Sequence, residues 1–239
     1  MTELLFRLDA YLNDVTGIVT EHTAEGGVVL NRSIFYPTGG GQPGDSGRID
    51  WSGGSMDVAT TVKGQGDAIV LVPAAPQALP AVGTTIRQHL NWLRRHRLMR
   101  MHTALHLLSV VIPLPVSGGS IGAERSRLDF DMPDAPKDPA AIEGALMRLV
   151  DADLPVSEDW ITDAQLDADP GLVKTMSVAP PRGAGRVRLV QIGKTAPYVD
   201  RQPCGGTHVA RTGEIGRLRV GKIEKKGRQN RRVYLHLDD

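Results

Sequence analysis

"LNWLRRHRLMRMHTALHLLSVVIP", residues 90–113, is where the character of this chain changes. Leu98, Met101, Leu105 and Leu108 recur three or four residues apart, the spacing of one helix face, and Pro113 ends the run. Before this helix the chain reads as short β-segments. "TGIVTEH" (16–22), "GGVVLNRSIFYP" (26–37) and "GDAIVLVP" (66–73) are strand-like, with Gly and Pro between them and no pattern of helix length. "PAAPQALPAVG" (73–83) is a connection or an edge. Residues 1–90 are therefore expected to form a small β-barrel-like domain.

Beyond the helix the pattern is mixed. A second helix is expected from Asp138-Pro139, a capping residue followed by proline at the first turn, with Ile142, Leu146, Leu149 and Val150 on its buried face. After "PPRGAG" (180–185) come "RVRLVQIG" (186–193), "GRLRVGKIEKKG" (216–227) and "RRVYLHL" (231–237), which alternate in part with period two. Residues 91–239 thus read as an α+β core with helices packed on an antiparallel sheet, and the whole chain as α+β. The scarcity of aromatics, 4% of residues, leaves Val, Leu, Ile and Ala to fill both cores.

The composition is that of a soluble globular protein, and one cysteine excludes an intrachain disulfide. The first residues mix acids among apolar side chains, unlike a signal peptide. The longest apolar stretch, Leu105–Val116, holds His106, Ser109 and two prolines and is too short to span a bilayer. A reduced, cytoplasmic protein with no membrane partner is the expectation. The net charge of +1 hides strong segregation. Arg87, Arg94, Arg95, Arg97 and Arg100 lie in a stretch without acids, eight bases stand against Glu224 between Arg217 and Arg232, and residues 129–170 hold twelve acids. Such segregation suits a polyanionic partner on one face, or equally a set of solvated faces.

The quoted helix also carries chemistry. His102 and His106 stand four residues apart and so share one helix face. The lone cysteine repeats the same step, in "PCGGTHVA" (203–210), between Cys204 and His208. Three imidazoles and a thiolate form a borderline-soft donor set that suits tetrahedral zinc, although ligand type alone leaves iron and copper open. The gap of about 100 residues between the pairs is unlike a zinc finger; such an ion would tie a helix to a distant loop. Thr103 occupies the position where an H-E-x-x-H peptidase keeps its general base. Its hydroxyl can hydrogen-bond a substrate, or simply its own i−4 carbonyl. Asp200 is either a partner for a ligating histidine or an ordinary loop aspartate.

With these residues in place, the chain resembles the alanyl-tRNA synthetase editing-domain family and its free-standing AlaX-type members. "HTALH" (102–106) with "CGGTH" (204–208) is similar to the family's zinc signature, and "FYPTGGGQPGD" (35–45) to the glycine-rich motif of its longer members. "RSRLDFD" (125–131) and "TGEIGRLRVGKIEKKGRQNRRV" (212–233) follow in the family's order. At Ser117-Gly118-Gly119 the chain departs from synthetase-borne relatives, which often carry a glutamine there.

The resemblance implies zinc at His102, His106, Cys204 and His208. It also implies hydrolysis in trans of the ester joining serine or glycine to tRNA(Ala). Thr103 is then a candidate for recognising the substrate, and the N–H groups of Gly205 and Gly206 for binding the oxyanion. Gly39, Gly40, Gly41 and Gln42, in a stretch that lacks the G-K-[ST] of a nucleotide-binding loop, would dock tRNA or cover the site, or form only a hairpin. Lys222, Lys225, Lys226, Arg231 and Arg232 are expected to meet tRNA phosphates. The competing expectation is an RNA-binding protein whose zinc is purely structural.

Overall fold

The computed structural model describes residues 1–136, 138–175 and 185–238, which divide into two compact units, Met1–His96 and Arg97–Asp239. The fold is α+β. In the first unit β1 (Glu3–Leu4) and α1 (Leu5–Leu8) precede β2 (Asp14–His22), β3 (Val28–Leu30), β4 (Arg32–Ser33) and β5 (Gly47–Trp51). Then come β6 (Gly54–Lys63), β7 (Ile69–Pro73) and β8 (Thr85–Leu90). Strands β2-β3-β7-β6-β5-β8 close into an antiparallel barrel in that order, so none of the six is left as an edge.

Alternation decides what fills the barrel. In β8, Ile86, Gln88 and Leu90 point inward while Thr85 and Arg87 are exposed. Ile86 and Leu90 join Val19, Leu30, Ile49 and Leu71 in the core. Gln88 is buried without cost, because its amide accepts from Ile34 N–H at 3.2 Å and donates to the Arg32 carbonyl at 3.1 Å.

The glycine-rich stretch forms a tight reversal on this unit. Gly39 and Gln42 exchange both backbone hydrogen bonds, at 3.0 and 2.9 Å, around Gly40 and Gly41, whose φ values of +57° and +81° favour glycine. A side chain on Gly44 would meet the Thr61 carbonyl at 2.0 Å, so this position admits no other residue. The stretch ends at Asp45, which is buried against Arg95; Arg95 Nε lies 2.9 Å from its carboxylate and the guanidinium also donates to the Ala10 and Ile34 carbonyls. Removing either partner of such a buried pair would strand the other charge.

The long helix α2 (Trp92–Val111) contains the boundary between the units. Downstream lie β9 (Val116–Ser120), β10 (Arg125–Asp131), α3 (Pro139–Asp151), β11 (Val156–Ile161) and α4 (Asp163–Ala168). They are followed by β12 (Val187–Ile192), β13 (Asp200–Pro203), β14 (Leu218–Lys225) and β15 (Asn230–Leu237). The single sheet expected here is two antiparallel sheets, β14-β15-β10-β9 and β11-β12-β13. The strands that sequence reading passed over are polar or glycine-rich, such as "VSGGS" of β9, and gain their strand form from pairing. Helix α3 starts as expected, the Asp138 carboxylate accepting from Ala141 N–H at 3.0 Å. It buries Ile142, Leu146 and Val150, while Leu149 is half-buried. Of the turn expected at 180–185, only Gly185 lies within the described residues, and Lys137 lies outside them.

The arginines of 87–100 have internal partners. Arg87 pairs with Asp14 at 2.7 Å and Arg95 with Asp45, while Arg94, Arg97 and Arg100 donate to the carbonyls of Gly44, Ala123 and Ile215 at 2.8, 3.0 and 2.8 Å. Each of these bonds lies within one unit. The run is not a free cationic surface.

Candidate metal centre

Helix α2 places His102 and His106 one turn apart and buried, and the loop leaving β13 brings Cys204 and His208 to them. One nitrogen from each histidine and Cys204 Sγ all lie within 4.8 Å of one another. Sγ stands 3.4 Å from His102 Nε2 and 3.2 Å from His208 Nε2. A tetrahedral ion with bonds of about 2.0–2.3 Å sets its ligands about 3.3–3.8 Å apart, so these donors fit one metal ion.

The surrounding groups orient the donors. His106 Nδ1 donates to Asp200 Oδ2 at 2.8 Å, which leaves Nε2 for the cluster. Asp200 is itself held by Gln202 Nε2 at 2.8 Å and by the Lys174 ammonium. Thr103 does the same work for His208. Its hydroxyl is wholly buried, 3.1 Å from His208 Nδ1, 3.0 Å from the Met99 carbonyl and 3.3 Å from Val209 N–H. Donating to Met99 and accepting from the other two, it fixes the tautomer in which His208 Nε2 is the free donor. Thr103 thus bonds both its own i−4 carbonyl and a ligand, and its hydroxyl has no valence left for a substrate in this arrangement.

The electrostatics favour the ligating forms of Cys204 and His208, whereas His106 must give up a proton to ligate. Burial opposes a thiolate at Cys204, but the charges and hydrogen bonds of the imidazoles outweigh it and hold the thiol well below its ordinary range. Burial, reinforced by the charge of His102, pushes His208 well below an ordinary imidazole, towards its neutral form. Burial also disfavours the His106 cation, yet the hydrogen bond to Asp200 and the neighbouring Cys204 lift it to about 9. Burial would raise Asp200; His106 and Lys174 overcome that and bring it to about 2.

The loop between Cys204 and His208 is shaped as closely as its ends. Gly206 N–H faces Cys204 Sγ at 3.5 Å, Gly205 is exposed, and a side chain at Gly205 would meet nothing within 4 Å. Gly39, Gly40, Gly41 and Gln42 belong to the other compact unit; Gly40 and Gly41 are exposed and Gln42 is buried.

The five basic residues expected at tRNA part company. Lys222, Lys225 and Lys226 are exposed, the first and last in loose pairs with Glu224 at 3.0 and 3.3 Å. Arg231 is buried and donates to the carbonyls of Pro133 and Asn230. Arg232 grips Asp129 with two bonds of 2.7 and 2.9 Å. Both arginines are committed within the fold. Sequence reading missed Gln202, which touches His106, and Arg188, which holds the loop carbonyls, together with their supports Lys174 (on Asp200) and Glu158 (on Arg188); Arg188 and Glu158 carry no local signal, since their targets are each other and backbone carbonyls.

If Thr103 positions His208, Thr103→Val weakens metal binding by about 10- to 100-fold. Competition against a chromogenic chelator measures this, and wild-type affinity in the variant would remove Thr103 from the site's support. Among the described residues no helix is long and apolar enough to cross a membrane.

Comparison with known proteins bears on the same residues. Residues 187–234, which include Cys204 and His208, match the family described as "Threonyl and Alanyl tRNA synthetase second additional domain", and residues 12–94 match "tRNA synthetases class II (A)". The chain is 32% identical to the alanyl-tRNA editing protein AlaX-M of Methanosarcina acetivorans, covering 100% of both chains. It is 30% identical to the protein of that name from Methanosarcina mazei, over 100% of this chain and 98% of the other. It is also 35% identical to the alanine–tRNA ligase of Pyrobaculum calidifontis, where 94% of this chain covers 25% of the ligase. Alignment at this identity from end to end, joined to a built cluster of three histidines and a cysteine, leads to one assignment: the chain belongs to the AlaX-M family of alanyl-tRNA editing proteins.

Proposed function

We propose that this protein hydrolyses, in trans and in the cytoplasm, the ester joining a wrong amino acid to tRNA(Ala), chiefly serine and also glycine. One zinc ion held by His102, His106, Cys204 and His208 serves the reaction. The observation that carries this reading is the convergence of four donor atoms within 4.8 Å, from three buried histidines and half-buried Cys204, in a chain that aligns from end to end with alanyl-tRNA editing proteins. When bound, zinc supplies a charge that polarises an ester carbonyl or acidifies a water. The chain's own residues do the rest. Asp200 and Thr103 hold two imidazoles in their ligating tautomers; Gly206 N–H faces the Cys204 sulfur, which leaves the N–H of exposed Gly205 as the backbone donor offered to the oxyanion.

A second reading draws on the count of donors. Four protein ligands complete a tetrahedral shell, as in structural zinc sites, which favours an RNA-binding protein without turnover. Release of free serine or glycine from Ser-tRNA(Ala) and Gly-tRNA(Ala), alongside elemental analysis, separates the two. One zinc per chain with turnover supports the deacylase. Zinc without turnover on either ester supports the structural reading.

The tRNA would meet Lys222, Lys225 and Lys226. Replacing all three with glutamine lowers the slope of log K against log salt by about one unit per lost phosphate contact. An unchanged slope removes the hairpin from the interface. Arg231→Gln, by contrast, acts on stability, because it strands the carbonyls that the guanidinium now satisfies.

A further inference from the structure

Arg188 sits on β12, the central strand of its sheet, where all six residues are buried. A guanidinium is costly to bury unless its charge is paired and its donors are used. Here Nε donates to Glu158 Oε2 at 2.8 Å and Nη2 to Glu158 Oε1, a two-pronged grip from the neighbouring strand β11. The remaining nitrogen, Nη1, takes two backbone carbonyls from the ligand loop, Cys204 at 2.7 Å and Gly206 at 3.0 Å. Cys204 N–H returns a bond to the Arg188 carbonyl at 3.2 Å. Two alternate carbonyls of the loop are therefore turned to one cation.

Planar trans peptides convert this into a statement about donors. Within one peptide unit the C=O and the N–H point in opposite directions. With the Cys204 carbonyl drawn to buried Arg188, the N–H of Gly205 is turned away from that guanidinium, and Gly205 itself is exposed. The next N–H, that of Gly206, faces the thiolate.

We propose that Arg188, held by Glu158, is a positioning residue of this site: it fixes the Cys204–Gly205 peptide so that Gly205 N–H stabilises the oxyanion formed in ester hydrolysis. The inference rests on the deacylase reading above. Water oxygen adds to the ester carbon and loses a proton, while the carbonyl π pair moves onto oxygen to give the tetrahedral oxyanion. As that pair re-forms C=O, the bond to the ribose oxygen breaks, the ribose oxygen takes a proton, and the free amino acid leaves. A donor set in advance lowers the barrier to the charged species without tightening the bound ester.

The test uses zinc-loaded full-length protein with Ser-tRNA(Ala), comparing wild type, Arg188→Lys, Arg188→Ala with and without methylguanidinium, and Glu158→Gln. Lysine keeps the charge but cannot span Glu158 and both carbonyls. The expected result is a fall in kcat of about 10²–10³-fold for Arg188→Lys, with KM changed by about threefold or less and one zinc per chain retained. Methylguanidinium restores part of the rate to Arg188→Ala. Glu158→Gln, which keeps the shape of the partner, falls in the same direction by less. The amide resonances of Gly205 and Gly206 shift in both charge-partner variants. Wild-type kcat in Arg188→Lys, or a loss of rate that follows loss of zinc, overturns the proposal. The amide resonances keep the two ideas apart. If wild type hydrolyses no ester, the deacylase reading fails, and unmoved Gly205 and Gly206 amides would show separately that the clamp does not set the loop.

Discussion

Cys204→Ala is expected to empty the metal site and to stop ester hydrolysis. In the proposed site Cys204 would supply the anionic ligand among three imidazoles, and its thiolate form is already favoured by its neighbours. Structural zinc contributes about 10–16 kcal/mol at pH 7, so an even quarter is about 2.5–4 kcal/mol, or about 10²–10³-fold in affinity. Alanine also leaves a void beside two buried histidines, which water will fill without supplying charge. In zinc-buffered solution the variant should hold well under one ion per chain. Its rate on Ser-tRNA(Ala) should fall by at least the same factor. Full zinc occupancy together with full activity in Cys204→Ala would remove this cluster from the reaction.

Discrimination between seryl and alanyl esters is the second large effect. Serine differs from alanine by one hydroxyl, and an apolar pocket separates such a pair poorly. A site built to bind the hydroxyl can separate them by about 10⁴-fold, because its polar groups are left unpaired by alanine. The expected result is rapid hydrolysis of Ser-tRNA(Ala) with Ala-tRNA(Ala) spared by up to that factor.

The recognising group is a separate question. Thr103 was the natural candidate, one residue from a ligand, but its hydroxyl is wholly buried and bonded to Met99, His208 and Val209. Recognition then passes to the metal or to the backbone around Gly205. Thr103→Val should keep the ratio of the two rates even as it loosens the metal, when both are measured at saturating zinc. A collapsed ratio with zinc in place would return the hydroxyl contact to Thr103. Equal hydrolysis of the two esters by wild type would defeat the editing reading itself.

Much of this was legible before any coordinates. The spacing of Leu98, Met101, Leu105 and Leu108 determined α2, and with it the shared face of His102 and His106. Asp138-Pro139 determined the start of α3. The strand-like segments 16–22, 26–37 and 66–73, punctuated by Gly and Pro, determined that the first unit would be a β-structure. All three follow from geometry that repeats every few residues, so they are written where they act.

Tertiary structure decided the rest. It split the expected single sheet into two and made strands of polar segments such as Val116–Ser120. It gave each arginine of 87–100 a carboxylate or carbonyl partner, burying Arg95 and leaving Arg87 exposed, where composition alone allowed a polyanion-binding face. It committed Arg231 and Arg232 to the fold and left the neighbouring lysines exposed. It assigned Thr103 to His208, Asp200 to His106, and Arg188 to the backbone of the ligand loop. Paired histidines and a cysteine with a histidine can be seen in a sequence because the residue types are rare. The partners of an arginine that binds carbonyls cannot, because every residue carries a carbonyl, and only the packing of distant strands selects which one it meets.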